Sequence, residues 1–170
     1  MNIVDLVILV ALGAFVLAGF WLGLIHMLGA IVGLFVGIYL AGHYYGWLAG
    51  LAAPFLGGNL NLARLLAFIF IFVLVTRLFG LVLYLIDKVF KFVAIIPFLK
   101  TFNRLLGAVF GLLEGTLALG IALYFAGKFP VGAAFELLLR GSQLARPLNL
   151  IGALLSPLLP QAVTMLQSVL

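Results

Sequence analysis

An all-α, multi-pass transmembrane bundle of about four spanning helices is the fold class this sequence predicts, and three observations predict it. Of 170 residues, 67% are hydrophobic and only 8% charged, against about a quarter charged in a typical soluble domain. Mean hydropathy is +1.42. No formally charged residue occurs from Leu6 to Ala63, a run far too long for one crossing of a hydrocarbon core roughly 30 Å thick and long enough for two. A single membrane domain over residues 1–170 follows, with no sizeable water-soluble part.

The first helix is expected over residues 3–23. The chain opens with an acid, Asp5, and no base, unlike the basic start of a cleaved signal peptide, so this stretch is read as a retained helix. A break near Trp21 to Met27, where Trp21 and His26 combine apolar bodies with polar tips, leads into a second helix over 27–45. Gly42, His43, Tyr44, Tyr45, Gly46 and Trp47, followed by Pro54, Gly57, Gly58, Asn59 and Asn61, have the composition of a connection. The third helix is expected over 62–86, interrupted by Arg64 and Arg77, and the fourth over 105–126, interrupted by Glu114. Between them, the segment 88–103 carries Lys88, Lys91 and Lys100 around Pro97 and is too short and basic to span, so it is placed at the interface. The tail, 128–170, is read as interfacial amphipathic helices. A fifth pass over 147–170 is the alternative, weakened by Pro147, Pro157 and Pro160.

Net charge is +5 and the pI about 9.9. Bases dispersed between apolar stretches act as topology determinants and lipid-headgroup contacts, so no nucleic-acid partner is expected. The densest basic cluster, Lys88 to Arg104, is expected in the cytoplasm, which puts both termini on the far side. The expected partners are the lipid bilayer, other membrane proteins and further copies of the same chain.

Three stretches resemble one known family: the opening Asn2-Ile3-Val4-Asp5-Leu6; Gly19-Phe20-Trp21-Leu22-Gly23-Leu24; and Asn103-Arg104-Leu105-Leu106-Gly107 continuing through Gly111 to Glu114-Gly115. Ser142, Leu144, Pro147 and Leu158-Leu159-Pro160 are a fainter echo of its tail. The chain is similar to the colicin V production protein (CvpA) family of bacterial inner-membrane proteins. Its motif positions fall on Asp5, Gly19, Phe20, Gly23, Arg104, Gly107, Gly111 and Gly115. The resemblance implies a multi-pass inner-membrane protein needed for production or export of a peptide toxin and linked to envelope homeostasis. Where the family usually has bases, this chain has Ala18, Leu22 and His26 in the second stretch and Glu114 in the third.

Two glycine-zipper ladders, Gly29, Gly33, Gly37 and Gly107, Gly111, Gly115, repeat at a spacing of four and so occupy one face of each helix. They read as close packing within the bundle in preference to self-association or a channel lining. Charged groups within apolar helices are costlier, at least about 2.5–3.5 kcal/mol at the bilayer centre. Asp5 is expected at a wet interface, favoured by the helix dipole. Arg77 and Glu114 lie deeper and are expected to form an intramembrane ion pair between the third and fourth helices, with a hydrated conduction path as the alternative. No cysteine occurs, no His, Asp or Glu cluster has metal-ligand spacing, and Thr76, Thr101, Thr116, Ser142 and Ser156 lack a nearby base. Neither a catalytic residue nor a metal or cofactor is expected.

Overall fold

Residues 2–90, 97–129 and 132–159 are described in the structure, a computed structural model. They form α1 (Ile3–Leu22), α2 (Leu24–Ala52), α3 (Leu60–Phe90), α4 (Pro97–Lys128), α5 (Ala133–Arg140) and α6 (Ala145–Leu155), with short 3-10 turns at Ala53–Leu56 and Ser156–Leu158 and no strand among the described residues. The first four helices are each long and apolar enough to cross a membrane. Their outward faces are apolar: Ile3, Leu6, Val7, Val10, Leu17 and Trp21 are exposed along α1, while Asp5, Ile8 and Gly19 on its other side are buried. Spacings of three and four put each set on one helix face. Lipid, not water, is the solvent such a face requires.

The helices pair as two antiparallel couples, α2 along α3 and α1 along α4. In the first couple, Gly29, Gly33 and Gly37 receive Leu83, Phe79 and the Phe72 and Thr76 side chains of α3. In the second, the contact is backbone to backbone. A methyl group at Gly107 would collide with the Gly19 carbonyl, one at Gly111 with the Phe15 carbonyl, and one at Gly115 with the Phe15 ring. A further contact, α2 on α4, joins the couples, and the α3 and α4 backbones approach at few points, meeting through the Phe68 and Phe125 rings. Beyond the glycines, Tyr45, Phe68, Phe125 and Phe129 fill the core, with the Phe68 and Phe125 rings stacked at 3.8 Å and Tyr45 edge-on to Phe125 at 5.1 Å.

Several expected boundaries are corrected. The second helix does not stop at residue 45 but runs to Ala52. Gly42 and Tyr45 are buried there, and packing of that face outweighs the roughly 1 kcal/mol that a mid-helix glycine costs. The connection shrinks to the turn after it, where Gly57 and Gly58 take φ of 64° and 78° and the Asn59 side chain accepts the Leu62 N–H at 3.0 Å. The break between the first two helices is the single residue Gly23. The third helix extends to residues 60–90, and the fourth begins at Pro97, a residue suited to a first helical turn because it has no N–H to leave unpaired. Residues 97–103 are therefore helical and continuous with a span, not part of a separate interfacial piece; residues 91–96 lie outside the described residues.

The tail packs on the bundle: α6 crosses α4, with the Gly152 and Gly120 backbones in contact and Ala145, Leu148 and Gly152 buried. At 11 residues it is about 16 Å long, short of a crossing. The rest of the tail, 160–170, lies outside the described residues.

Gly111→Leu should drive α1 off α4 and cost stability at or beyond the upper end of the roughly 1–3 kcal/mol typical of overpacking. Leu113→Phe, two residues on but exposed, should change little. Thermal melts of the two variants in the same detergent check this, and equal melting temperatures would contradict it.

Candidate functional site: a cleft closed at mid-membrane

Because α1 pairs with α4 and α3 with α2, α1 and α3 face each other with no packed interface between them. The gap is a half-open cavity of about 450 Å³, walled by Ala14, Ala18 and Leu22 of α1 and Thr76, Arg77, Gly80 and Leu81 of α3, with His26 and Ala30 of α2 and Glu114 and Ala118 of α4 behind them. Residues near the Gly23 corner mark one end of the cavity. Glu114 lies eleven residues along α4 from Asn103, about 16 Å in, and beyond Phe72 and Ala118 the aromatic core closes the way.

Glu114 is 7% exposed, whereas Arg77 is exposed. The expected ion pair is corrected: the two face one cleft but do not come within ion-pair distance, and Arg140 with Glu136 is the pair formed among the described residues. The assumption that failed was that α3 and α4 would pack side by side along their length. Glu114 accepts no hydrogen bond from a described residue either. Arg77, facing the same cleft, acts on the Glu114 carboxylate electrostatically without a direct pair. Thr76 is satisfied internally, its hydroxyl donating to the Phe72 carbonyl at 2.7 Å. His26, expected at the interface, lines the cleft instead.

The Gly23 corner holds the cavity's end in shape. Gly23 has φ 84°, a left-handed conformation that L side chains avoid, and its N–H closes α1 onto the Gly19 carbonyl at 2.8 Å. Asn103 of α4 accepts the Leu24 N–H at 3.0 Å, supplying the cap that α2 lacks from its own sequence. The Arg104 guanidinium lies 5.7 Å from the centre of the Phe20 ring, within cation–π range. Thus Gly19, Phe20, Gly23, Arg104, Gly107 and Gly111 meet in one seam.

At the opposite end sits Asp5, and its wet setting is corrected: it is fully buried. One carboxylate oxygen accepts the Asn2 N–H at 2.8 Å, completing a capping box with Asn2. The other accepts the Ser142 hydroxyl at 2.5 Å and the Leu144 N–H at 3.0 Å. Ser142 in turn accepts the Ala145 N–H that opens α6, and the Asn2 side chain donates to the Leu138 carbonyl at the end of α5. Asp5 therefore ties the start of the chain to its tail. Asn2, Asn103 and Ser142 had no assigned role in the sequence reading; the Asn2-x-x-Asp5 spacing was the one available signal, since it is the spacing of a capping box.

A helical multi-pass membrane protein with a largely apolar cleft, into which a few ionisable side chains face, is the class that this fold and site define. The family model for the colicin V production protein matches residues 4–153, and the chain belongs to that family. No curated protein and no solved structure matches it.

Asp5→Leu should free α5 and α6 from α1, lowering thermal stability and opening residues 132–144 to protease, because Ser142 Oγ and two backbone N–H groups lose their acceptor together. Asp5→Asn, which keeps one acceptor oxygen, should do less. Limited proteolysis with mass mapping reads both, and a Leu variant as resistant as the native chain would contradict this role.

Proposed function

We propose that this chain is a non-enzymatic component of the bacterial inner membrane that supports production or export of a peptide toxin and envelope homeostasis, and that it works through the cleft between α1 and α3. The supporting observation is the convergence of His26, Thr76, Arg77 and Glu114, from three helices, on one cavity in a chain with so few charges. An ionisable residue within a spanning helix is by default a functional-site candidate. The basic run from Lys88 to Arg104 supports a cytoplasmic Gly23 end, and on that reading the cleft opens towards the compartment where a peptide is made. Other membrane proteins, or a second copy, are the partners with which it assembles.

A transporter reading shares the same cavity, with Arg77 and Glu114 lining a hydrated path. The stacked Phe68 and Phe125 rings lie beyond the Phe72 end of the cavity and interrupt that path. Passage therefore requires helix movement, which favours alternating exposure over an open pore. Flux in reconstituted liposomes distinguishes the two: gradient-driven solute uptake would support the transporter reading, and none would leave the assembly role.

In cells lacking their own family member but carrying a colicin V operon, Glu114→Gln and Arg77→Gln should each reduce secreted toxin to near the empty-vector level while the protein stays in the membrane. Leu113→Gln, on the lipid-facing side of α4, is the control for polarity alone. Normal secretion by both cleft variants would remove the cleft from the function.

A further inference from the structure

At the Asp5 end, a second hollow lies in the elbow between α5 and α6. It measures about 490 Å³ and is lined by Arg140, Arg146 and Asn149 together with Leu123, Leu139 and Leu150. We infer that this elbow binds one anionic phospholipid, its phosphate between the Arg140 and Arg146 guanidiniums and its acyl chains along the leucines. Three observations carry the assignment, none of which depends on the function of the cleft.

First, the charges are placed for an anion. Arg146 is held over the elbow by its Nη2, which donates to the Arg140 carbonyl at 3.3 Å. Arg140 has only a loose contact with Glu136, 3.8 Å apart with both side chains well exposed. Two guanidiniums against one acid leave a net positive elbow, and guanidinium geometry suits the paired oxygens of a phosphate. Asn149 is fixed alongside, its amide donating to the Leu123 carbonyl at 3.4 Å.

Second, the walls are apolar and unshielded. Leu150 of the wall is 70% exposed, and Leu137 and Leu154, outside the hollow on the same two helices, are 71% and 80% exposed, which in a membrane protein means contact with acyl chains. Third, the depth is right. α5 and α6 have 8 and 11 residues, about 12 and 16 Å, too short to cross. Tied to the start of α1 by Asp5, the elbow between them sits at the end of the bundle, where long basic side chains reach for headgroups. Such a site also gives the bases of the tail a role that topology alone does not, since they lie at the end opposite the Lys88 to Arg104 cluster.

The test uses the full chain in nanodiscs and a phosphatidylglycerol bearing a photoactivatable group in its acyl chain, with cross-links mapped to peptides. The 137–150 peptide should be labelled by this probe and not by the matching phosphatidylcholine probe. Arg140→Gln with Arg146→Gln should lower that labelling about thirtyfold, since each base near the surface contributes about 1 kcal/mol to anionic-lipid binding. Excess glycerol phosphate should not compete, because it lacks the acyl chains. Equal labelling of the native chain by both lipid probes would overturn the proposal without any variant. So would full competition by glycerol phosphate, which would assign the elbow to a free phosphate, or unchanged labelling in a double variant that melts normally.

Discussion

Backbone contact between α1 and α4 at Gly19, Gly107 and Gly111 is the constraint from which the rest of the architecture follows. In lipid there is no hydrophobic force to push helices together, so close van der Waals contact between backbones must do it. Where these three residues lack side chains, α1 lies so near α4 that a single methyl group would strike a carbonyl. Asn103, close to the start of that seam, then reaches the Leu24 N–H and lets the chain reverse at Gly23 without leaving a helix start bare. With α1 committed to α4 and the Gly29, Gly33 and Gly37 face of α2 committed to α3, the first and third helices are left opposite one another and unpacked. The cleft is the residue of those two pairings.

Its chemistry follows from its shape. A buried carboxylate and a nearby guanidinium would be expected to collapse into a pair, and here they remain apart across a cavity large enough for several waters. The aromatic stack of Phe68, Phe125 and Tyr45 has the complementary effect, sealing the half of the bundle towards Asp5. Asp5, unlike Glu114, is fully engaged: donors from Asn2, Ser142 and Leu144 satisfy both its oxygens. Two acids in one bundle thus serve opposite ends, one locking the tail and one left open to the cavity.

Much of the fold was legible because lipid imposes simple length and composition rules. Four spans could be counted from apolar runs, and the family could be recognised from the stretches around Gly23 and Gly107. Element ends were harder. Gly42 to Trp47 has the composition of a loop, yet Tyr45 sits in the aromatic core and the helix passes through it; Pro97 reads as a breaker and is a helix start. The candidate site was legible in its parts and not in its arrangement. Arg77 and Glu114 were visible as charges at similar depth, but helix order in the chain does not reveal which helices touch, and nothing in residue spacing shows that α3 turns to α2. The tie between Asp5 and Ser142 joins positions 137 residues apart, and a single sequence carries no local trace of such a contact.

Collision accessibility of a nitroxide placed at Thr76, with the protein in liposomes, addresses the open cleft most directly. A water-soluble nickel chelate should relax the label at Thr76 strongly, in contrast to one at Leu78, which is exposed to lipid, and one at Leu34, which is fully buried. If Thr76 is as inaccessible to the chelate as those two positions, α1 and α3 close on each other in the membrane and the account of the cleft fails.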